Sequence, residues 1–386
     1  MTCQTKNTQF ELAMELLIDN GFDGVADAIA IMMNGAMQIE RSRYLRAEPY
    51  ERTEQRQSYA NGYKPKTIKT RVGEVQLSVP QTRDGGFYPS SLERGLRSER
   101  ALKIALAEMY VQGVSTRKAA RITEELCGFE VSSSEVSRAS AELDAQLSPW
   151  RNRELGSFPY VYLDARYEKV RHGGSVISVA VLIAVGVALS GHREILGVSV
   201  ELSENEVHWR NFLSSLKDRG LHGVRLFIAD AHEGLKAARN AIFPAVPWQR
   251  CQFHLQQNAQ KYVPKQHMKK DVAARIRAIF NAPDDAEAKR LLDLFLQDYQ
   301  DKAPRLTNWA ETALPEGFTS FIFPEQHRKK IRTVNMLERV NKEIKRRTRV
   351  ATLFPNTDSC LRLASAVAME ISDEWQTGRK YLTMEQ

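Results

Sequence analysis

The sequence predicts an α/β protein in which a mixed sheet is flanked by helices, interrupted by an all-α insertion and preceded by a mostly helical region. Apolar residues recur with helical spacing through the first 45 positions. Runs of β-type residues separated by turns follow from position 160, and residues 265–313 are charged and helical in pattern without strand signals. With 386 residues, the chain is long enough for two or three domains.

Composition excludes several classes of protein. The content of 42% hydrophobic and 26% charged residues is that of an ordinary globular chain rather than a disordered or fibrous one. The four cysteines include no CxxC pair, which predicts reduced thiols. The longest apolar stretch, residues 176–189, is too short to span a membrane, and the N-terminus lacks the layout of a signal peptide. We therefore expect a soluble intracellular protein with no membrane partner.

The first 97 residues predict two small modules. Residues 1–58 form a helical module, because their apolar positions recur at helical spacing. Residues 59–97 hold a β-hairpin and a linker. In the second strand of the hairpin Val75, Leu77 and Val79 alternate with polar residues, and a segment rich in Gly, Pro and Ser follows.

Residues 98–150 predict three short helices, of which the third continues to residue 147. That third helix begins in a capping box that runs from Ser132 to Glu135. A short helix, a turn and a capped helix that carries Ser134 and Arg138 form the pattern of a helix-turn-helix DNA-binding domain. A small helical bundle that does not bind DNA gives the same pattern, so both interpretations stay open.

From residue 151 the order of elements becomes diagnostic. The pattern predicts three antiparallel strands, a helix, a strand, a helix, a strand and a helix. This is the element order of ribonuclease H-like nucleases. We therefore predict a ribonuclease H-like catalytic core over residues 151–264, an all-α insertion over residues 265–325, and the final core helix with a C-terminal tail over residues 326–386.

Two aspartates stand where this sheet would point them at one site. Asp164 ends the first strand, predicted at residues 160–163, and Asp230 ends the fourth. If those strands are neighbours, both carboxylates emerge at the same edge and can share a divalent ion, which is the arrangement that phosphodiester chemistry needs. Taken singly, either acid is equally compatible with an ordinary surface position after an apolar strand.

The third carboxylate must come from a helix, and Glu338 is the strongest candidate. Leu337, Val340 and Ile344 lie at helical spacings that predict a buried seam, and Glu338 lies next to it. The helix could therefore pack on the sheet and present this acid to a metal. The alternative is a surface ion pair between Glu338 and Lys342, four residues later.

The positive charge of the chain is concentrated around this helix. Residues 326–349 contain ten Lys and Arg against two acids, so the +8 formal charge of the whole chain resides there. Such a cluster attracts a polyanion, and phosphate contacts with DNA are its commonest use. A solvated basic helix is the alternative. The side chains expected on one stripe are Arg339, Lys342, Arg346 and Arg349.

Four stretches together resemble the signature blocks of one family. They are YLDA at residues 162–165, IADAHEGL at 228–235, WQRCQFH at 248–254 and LERVNKEIKRRTR at 337–349. They closely resemble the mutator-type transposases of bacterial insertion sequences. The resemblance extends over nearly the whole chain, from residue 61 to residue 356.

The resemblance implies a DDE transposase that cleaves DNA at the terminal inverted repeats of an insertion sequence and joins the strand to target DNA. Asp164, Asp230 and Glu338 would be its metal-binding catalytic triad, with Mg²⁺ as cofactor and Mn²⁺ as a substitute. Its partners would be double-stranded DNA and, in the DNA complex, a second copy of the chain. Such a protein is expected in the bacterial cytoplasm, associated with the nucleoid. No P-loop of the form GxxxxGK[ST] occurs, so we expect no nucleotide cofactor.

The resemblance also assigns supporting residues. Cys251 and His254 form the CxxH element of the family; by spacing they are half a zinc site, and we favour a structural or site-supporting role. His232 could approach the scissile phosphate, although a lone histidine is more often simply hydrogen-bonded. Trp309 could stack on an extruded base, with a core tryptophan as the alternative.

Two other functions compete with transposition. A ribonuclease H-like nuclease or resolvase would hydrolyse DNA without joining it, and a helix-turn-helix regulator would bind DNA without any chemistry. The large N-terminal region and the family blocks favour the transposase.

Overall fold

The computed structural model describes residues 8–92, 98, 100–349 and 353–384. The chain divides into two compact units, Met1–Glu142 and Leu143–Gln386, and each contains hydrophobic core clusters of its own. Within the described residues, no helix combines the length and the apolar character that crossing a membrane requires.

The first unit begins with a helical hairpin and a β-hairpin. Its elements are α1 (Gln9–Asn20), α2 (Val25–Leu45), β1 (Ala60–Thr70) and β2 (Gly73–Thr82). Thr8 and Glu11 form a capping box that starts α1. Gly73 has a φ of 117° in the turn between the strands, a conformation that favours glycine. One face of the β-hairpin packs on α2 in a cluster that contains Met37, Ile68, Val75, Leu77 and Val79.

Residues 100–141 form α3 (Arg100–Val111), α4 (Thr116–Cys127) and α5 (Ser133–Ala141). Ser132 and Glu135 form the predicted capping box at the start of α5. The prediction that this helix continues to residue 147 is wrong, because α5 ends at Ala141 and α6 (Asp144–Arg151) begins in the second unit. Neither Gly nor Pro marks the break, so the continuing apolar spacing concealed it.

The second unit is built on a five-stranded mixed sheet. Its strands are β3 (Tyr160–His172), β4 (Ser175–Val187), β5 (Arg193–Glu201), β6 (Leu226–Ala229) and β7 (Trp248–Arg250), in the spatial order β5-β4-β3-β6-β7. β3, β4 and β5 pair as an antiparallel meander, whereas β6 runs parallel to β3 and β7 parallel to β6. The predicted mixed sheet flanked by helices is confirmed.

The helices of the second unit cover the sheet and form the insertion. Besides α6, they are α7 (Glu206–Asp218), α8 (Glu233–Ile242), α9 (Gln252–Ala259), α10 (Lys269–Phe280), α11 (Asp285–Tyr299), α12 (Pro304–Ala313), α13 (Glu325–Ile331), α14 (Asn335–Thr348) and α15 (Thr357–Thr377). α7 and α8 pack on one face of the sheet, where Trp209 and Leu213 meet Val161 and Leu163. The C-terminal tail is largely the helix α15, which the sequence pattern did not predict.

β3 is much longer than predicted. The predicted strand at residues 160–163 is the apolar start of an element that continues to His172 and pairs with β4 along its whole length. Beyond Leu163 most of its residues are half-buried or exposed, with charged side chains among them, whereas Val170 is buried. A polar sequence of this kind predicts a loop when the partner strand is not known.

The insertion is joined to the sheet by buried polar contacts. α10, α11 and α12 pack around a common hydrophobic core, to which they contribute Ile276, Phe295 and Leu306 respectively. The side chain of Gln249, on β7, is fully buried; its Nε2 donates to the carbonyl of Gly317 at 2.9 Å and its Oε1 accepts from the backbone N–H of Ser320 at 2.6 Å. The segment that closes the insertion is therefore docked against the edge of the sheet.

Candidate active site

The parallel pairing of β3 with β6 brings Asp164 and Asp230 together. The last paired residues are Leu163 and Ala229, and each aspartate follows one of them directly. The two carboxylates are held in the same way, since each Oδ1 accepts the backbone N–H of the next residue, at 2.9 Å for Asp164 and 2.7 Å for Asp230. The two acids thus occupy equivalent positions at the edge where the parallel pairing ends. The prediction that Asp164 ends its strand is wrong, because β3 continues past it and Asp164 pairs with Ile183 of β4.

The environments of the two aspartates differ. Asp164 is mostly buried, and burial raises its pKa to about 6, although hydrogen bonds from Ala165 and Asn341 and the nearby His254 act in the opposite direction. The side chain of Asp230 is 43% exposed. A buried carboxylate that is expensive to ionise beside a second carboxylate is the electrostatic setting that a bound cation would relieve.

Cys251 and His254 connect this edge to α14. Cys251 follows β7, and its backbone N–H donates to the carbonyl of Ala229 at 2.8 Å. Its buried sulfur accepts a hydrogen bond from the backbone N–H of Val334, the residue before α14, at 3.5 Å. Nδ1 of His254 lies 3.6 Å from Oδ2 of Asp230. The Cys251 side chain and the nearby aspartates raise the pKa of His254 to about 9.

Glu338 does not join the aspartates in a closed cluster. It is exposed on α14, and in the part of the chain that is described no group of three or more His, Cys, Asp or Glu side chains is arranged to hold a metal ion. The residue of α14 that reaches Asp164 is Asn341, whose Nδ2 donates to Oδ2 of Asp164 at 2.7 Å. Glu338 lies three residues before Asn341 and therefore on the same side of the helix.

Sequence reasoning missed Glu204 at the same edge. Its Oε1 lies 3.8 Å from Nδ1 of His232, and its Oε2 accepts from the Tyr167 hydroxyl at 3.4 Å. Burial raises the pKa of Glu204, and the carboxylate of Asp230 contributes in the same direction. The predicted meander could have indicated Glu204. In it β5 runs in the same direction as β3, so the loop that follows β5 lies on the same side of the sheet as Asp164 and Asp230.

The basic stripe of α14 is partly engaged in ion pairs. Arg339 lies 3.3 Å from Glu374 on α15, and Arg346 pairs with Glu343 one turn earlier on its own helix. Lys342 and Arg349 are exposed. The helix is therefore not uniformly solvated, and two of its four predicted phosphate contacts already have carboxylate partners within the protein.

The remaining residues with a predicted DNA contact, Trp309, Ser134 and Arg138, are on helices that carry none of the three predicted carboxylates. Trp309, on α12, is half-buried against the core of the insertion and stacks on Tyr262, with ring centroids 5.3 Å apart and an angle of 20° between the rings. Ser134 and Arg138 are exposed on α5. Within the first unit, Nζ of Lys69 on β1 lies 3.2 Å from Glu135, which ties the β-hairpin to the start of α5.

Similarity to known proteins covers the whole chain. Residues 1–378 match the family described as "Transposase, Mutator family". The chain is 56% identical over 384 residues to the transposase for insertion sequence element IS406 of Burkholderia multivorans, an alignment that covers 99% of each chain. It is 43% identical over 386 residues to the transposase for ISRM5 of Rhizobium meliloti, covering 100% of this chain and 96% of the relative. It is 40% identical over 363 residues to the transposase for IS256 in transposon Tn4001 of Staphylococcus aureus, covering 92% of each.

The contacts of Cys251 predict a structural role for this residue rather than a zinc site. Cys251→Ala should lower the melting temperature of the full-length protein, because it leaves the buried N–H of Val334 without an acceptor, which costs about 1–3 kcal/mol. Cys251→Ser keeps an acceptor oxygen and should be destabilised less. Thermal unfolding of both variants, with and without a zinc chelator, measures this. The prediction would be contradicted if the chelator lowered the melting temperature of the wild type and if Cys251→Ser were as strongly destabilised as Cys251→Ala.

Proposed function

The chain belongs to the Mutator family of transposases, which confirms the resemblance found in its sequence, and we propose that it cleaves the terminal inverted repeats of an insertion sequence and joins the freed 3′-hydroxyl to target DNA. A transposase acts on DNA by cleavage and strand transfer. We assign this chemistry to Asp164, Asp230 and Glu338 in a ribonuclease H-like core.

The observation that carries the proposal is the position of Asp164 and Asp230 directly after Leu163 and Ala229, the last paired residues of two neighbouring parallel strands. The spatial order β5-β4-β3-β6-β7, with three antiparallel strands followed by two parallel ones, supports a ribonuclease H-like core. The helix that carries Glu338 packs beside β3, since Asn341 on the same side of α14 touches Asp164. In the proposed site, Glu338 would approach Asp164 and Asp230 from this side of α14.

The residues present fit a divalent cation. Asp164, Asp230 and Glu338 would hold Mg²⁺, with Mn²⁺ as a substitute, because hard cations take oxygen donors. Two features of the site support this: the burial that makes Asp164 costly to ionise, and the buried Oδ1 of Asn341, which has no hydrogen-bond partner among the described residues. When bound, such an ion polarises the phosphodiester and activates the attacking water or 3′-hydroxyl.

Other side chains would position DNA and support the acids. Arg339, Lys342, Arg346 and Arg349 would contact phosphates, two of them by exchanging their carboxylate partners for DNA. Trp309, stacked on Tyr262, would offer an aromatic platform to a base.

Near the acids, His254 and Cys251 would hold the edge of the sheet and the start of α14 in register, and His232 would lie beside the scissile phosphate.

The first unit would recognise the ends of the element. Ser134 and Arg138 lie exposed on α5, the second helix of the proposed helix-turn-helix, where side chains reach base edges in the major groove. Two DNA ends must be brought together for transposition, so we propose that the protein acts as a homodimer on DNA, without a nucleotide cofactor.

Loss of any one of the three carboxylates should abolish the chemistry and leave DNA binding intact. Asp164→Asn, Asp230→Asn and Glu338→Gln should each reduce strand cleavage and joining by on the order of 100-fold or more, because each removes a ligand charge from the site. Cleavage and joining of terminal-repeat duplexes with Mg²⁺ measure this. Asp373→Asn, an exposed carboxylate on α15, is the matched control. Wild-type joining by Glu338→Gln would remove Glu338 from the site, and cleavage without any joining by the wild type would indicate a nuclease.

Arg138 should contribute to the choice of sequence. Arg138→Ala should lower the preference for the terminal repeat over random DNA by about 1–3 kcal/mol if it contacts a base edge. Competition binding with the full-length protein measures this ratio. Arg277→Ala, which removes an exposed arginine of the insertion, should leave the preference unchanged. An equal fall in affinity for both DNAs in Arg138→Ala would assign this residue to the phosphate backbone instead.

The basic stripe should contribute affinity without sequence information. Replacing Arg346 and Arg349 by Ala should weaken binding to every duplex alike and lower the slope of log affinity against log salt by roughly 0.9 for each phosphate that is no longer bound. A salt series for the wild type and the double variant measures the slope, with Lys289→Ala/Arg290→Ala on α11 as the charge-matched control. An unchanged slope would show that α14 does not bind DNA through these arginines.

A further inference from the structure

One side chain at this edge of the sheet lies within the block at residues 337–349, but no role follows for it from the sequence. It is Asn341, on α14. We propose that Asn341 is a positioning residue of the active site, whose amide nitrogen holds Asp164 in its working orientation and whose amide oxygen faces the cation or a water bound to it. This inference rests on the proposed function, because it presumes a cation at Asp164.

The first evidence is the pair of hydrogen bonds that Asp164 accepts. Its Oδ1 takes the backbone N–H of Ala165 at 2.9 Å, and its Oδ2 takes Nδ2 of Asn341 at 2.7 Å. Each carboxylate oxygen therefore has one fixed donor, and the rotation of the carboxyl group is determined from two directions. Ligating carboxylates are commonly held by such outer hydrogen bonds, and removal of the outer partner weakens metal binding.

The second observation concerns the amide oxygen of Asn341. Oδ1 of Asn341 is buried and accepts no hydrogen bond from any residue that the structure describes. A buried polar atom without a partner is uncommon, and it requires an explanation such as an ion or a water. An amide oxygen is a suitable ligand or acceptor in the oxygen-rich shell of Mg²⁺. Asn supplies a donor and an acceptor on one short neutral side chain, which Asp, Ser and Leu at this position would not do in the same way.

The third evidence is the network that holds the backbone of Asn341 against β3. Nη1 of Arg166 donates to the carbonyl of Asn341 at 2.6 Å, and Nη2 of Arg166 lies 2.6 Å from Oε1 of Glu168. The hydroxyl of Thr348 donates to the same Glu168 oxygen at 3.2 Å. Asp164, Arg166 and Glu168 are every second residue of β3 and therefore lie on the same face of the strand. The strand that carries the aspartate thus also fixes the helix that carries Asn341.

The test measures cation binding by the full-length protein without DNA, by calorimetry and Mn²⁺ electron paramagnetic resonance, together with the metal-free melting temperature. Asn341→Ala and the nearly isosteric Asn341→Leu should weaken Mn²⁺ binding by about 10- to 100-fold. Asn341→Leu should do so with a smaller fall in metal-free melting temperature than Asn341→Ala, since it keeps the side-chain volume while both variants remove the donor to Oδ2 of Asp164. In the cleavage assay, both variants should need more Mg²⁺ for half-maximal rate.

Asn335→Ala is the matched control, because Asn335 is exposed on the same helix and should leave Mn²⁺ affinity unchanged. Should Asn341→Leu bind Mn²⁺ like the wild type while Asp164→Asn does not, the role of Asn341 is wrong and the proposed site stands. Should Asp164→Asn bind Mn²⁺ like the wild type, the cation site itself is wrong, and this inference is wrong with it. A fall in melting temperature with unchanged Mn²⁺ affinity would assign Asn341 to packing alone.

Discussion

The parallel pairing of β3 with β6 is the constraint on which the rest of the site depends. It ends at Leu163 and Ala229 and leaves two carboxylates side by side in a partly buried place. Like charges in such a place repel each other and lose hydration, so the surrounding chain must compensate. Backbone N–H groups and His254 supply part of that compensation. In the proposed function, a divalent cation would supply the remainder.

A second constraint is the alignment of α14 with this edge, even though a long helical insertion separates the two in sequence. The backbone N–H of Gln252 donates to the carbonyl of Arg332 at 3.0 Å, and the sulfur of Cys251 accepts from Val334. The chain therefore leaves the sheet and returns to it at almost the same point. An insertion whose ends lie together can be accommodated without disturbing the elements on either side. The CxxH element is explained by this junction and by the proximity of His254 to Asp230.

The charges of α14 serve the fold as well as the proposed function. Arg347 is buried and lies 2.6 Å from Glu370 of α15, whereas Arg339 pairs with Glu374 on the same helix. A row of arginines beside an acidic site would otherwise repel one another, and carboxylate partners hold their side chains ready in defined positions. Phosphate groups compete well for such exposed pairs, since a guanidinium binds phosphate and carboxylate with the same geometry.

The sequence by itself determined the family, the order of the strands and helices around the sheet, and the placement of Asp164 and Asp230 after apolar β-type runs, because strand and helix periods, caps and motif blocks are local properties. It did not determine the break before α6 or the helix α15. It did not determine the full length of β3, whose polar second half is a strand only because β4 pairs with it. It also overlooked Glu204 and Asn341, which share no motif with Asp164. These residues meet it only through the direction of β5 and the docking of α14. Proximity across a sheet edge depends on strand order and helix packing, and only the tertiary structure decides those.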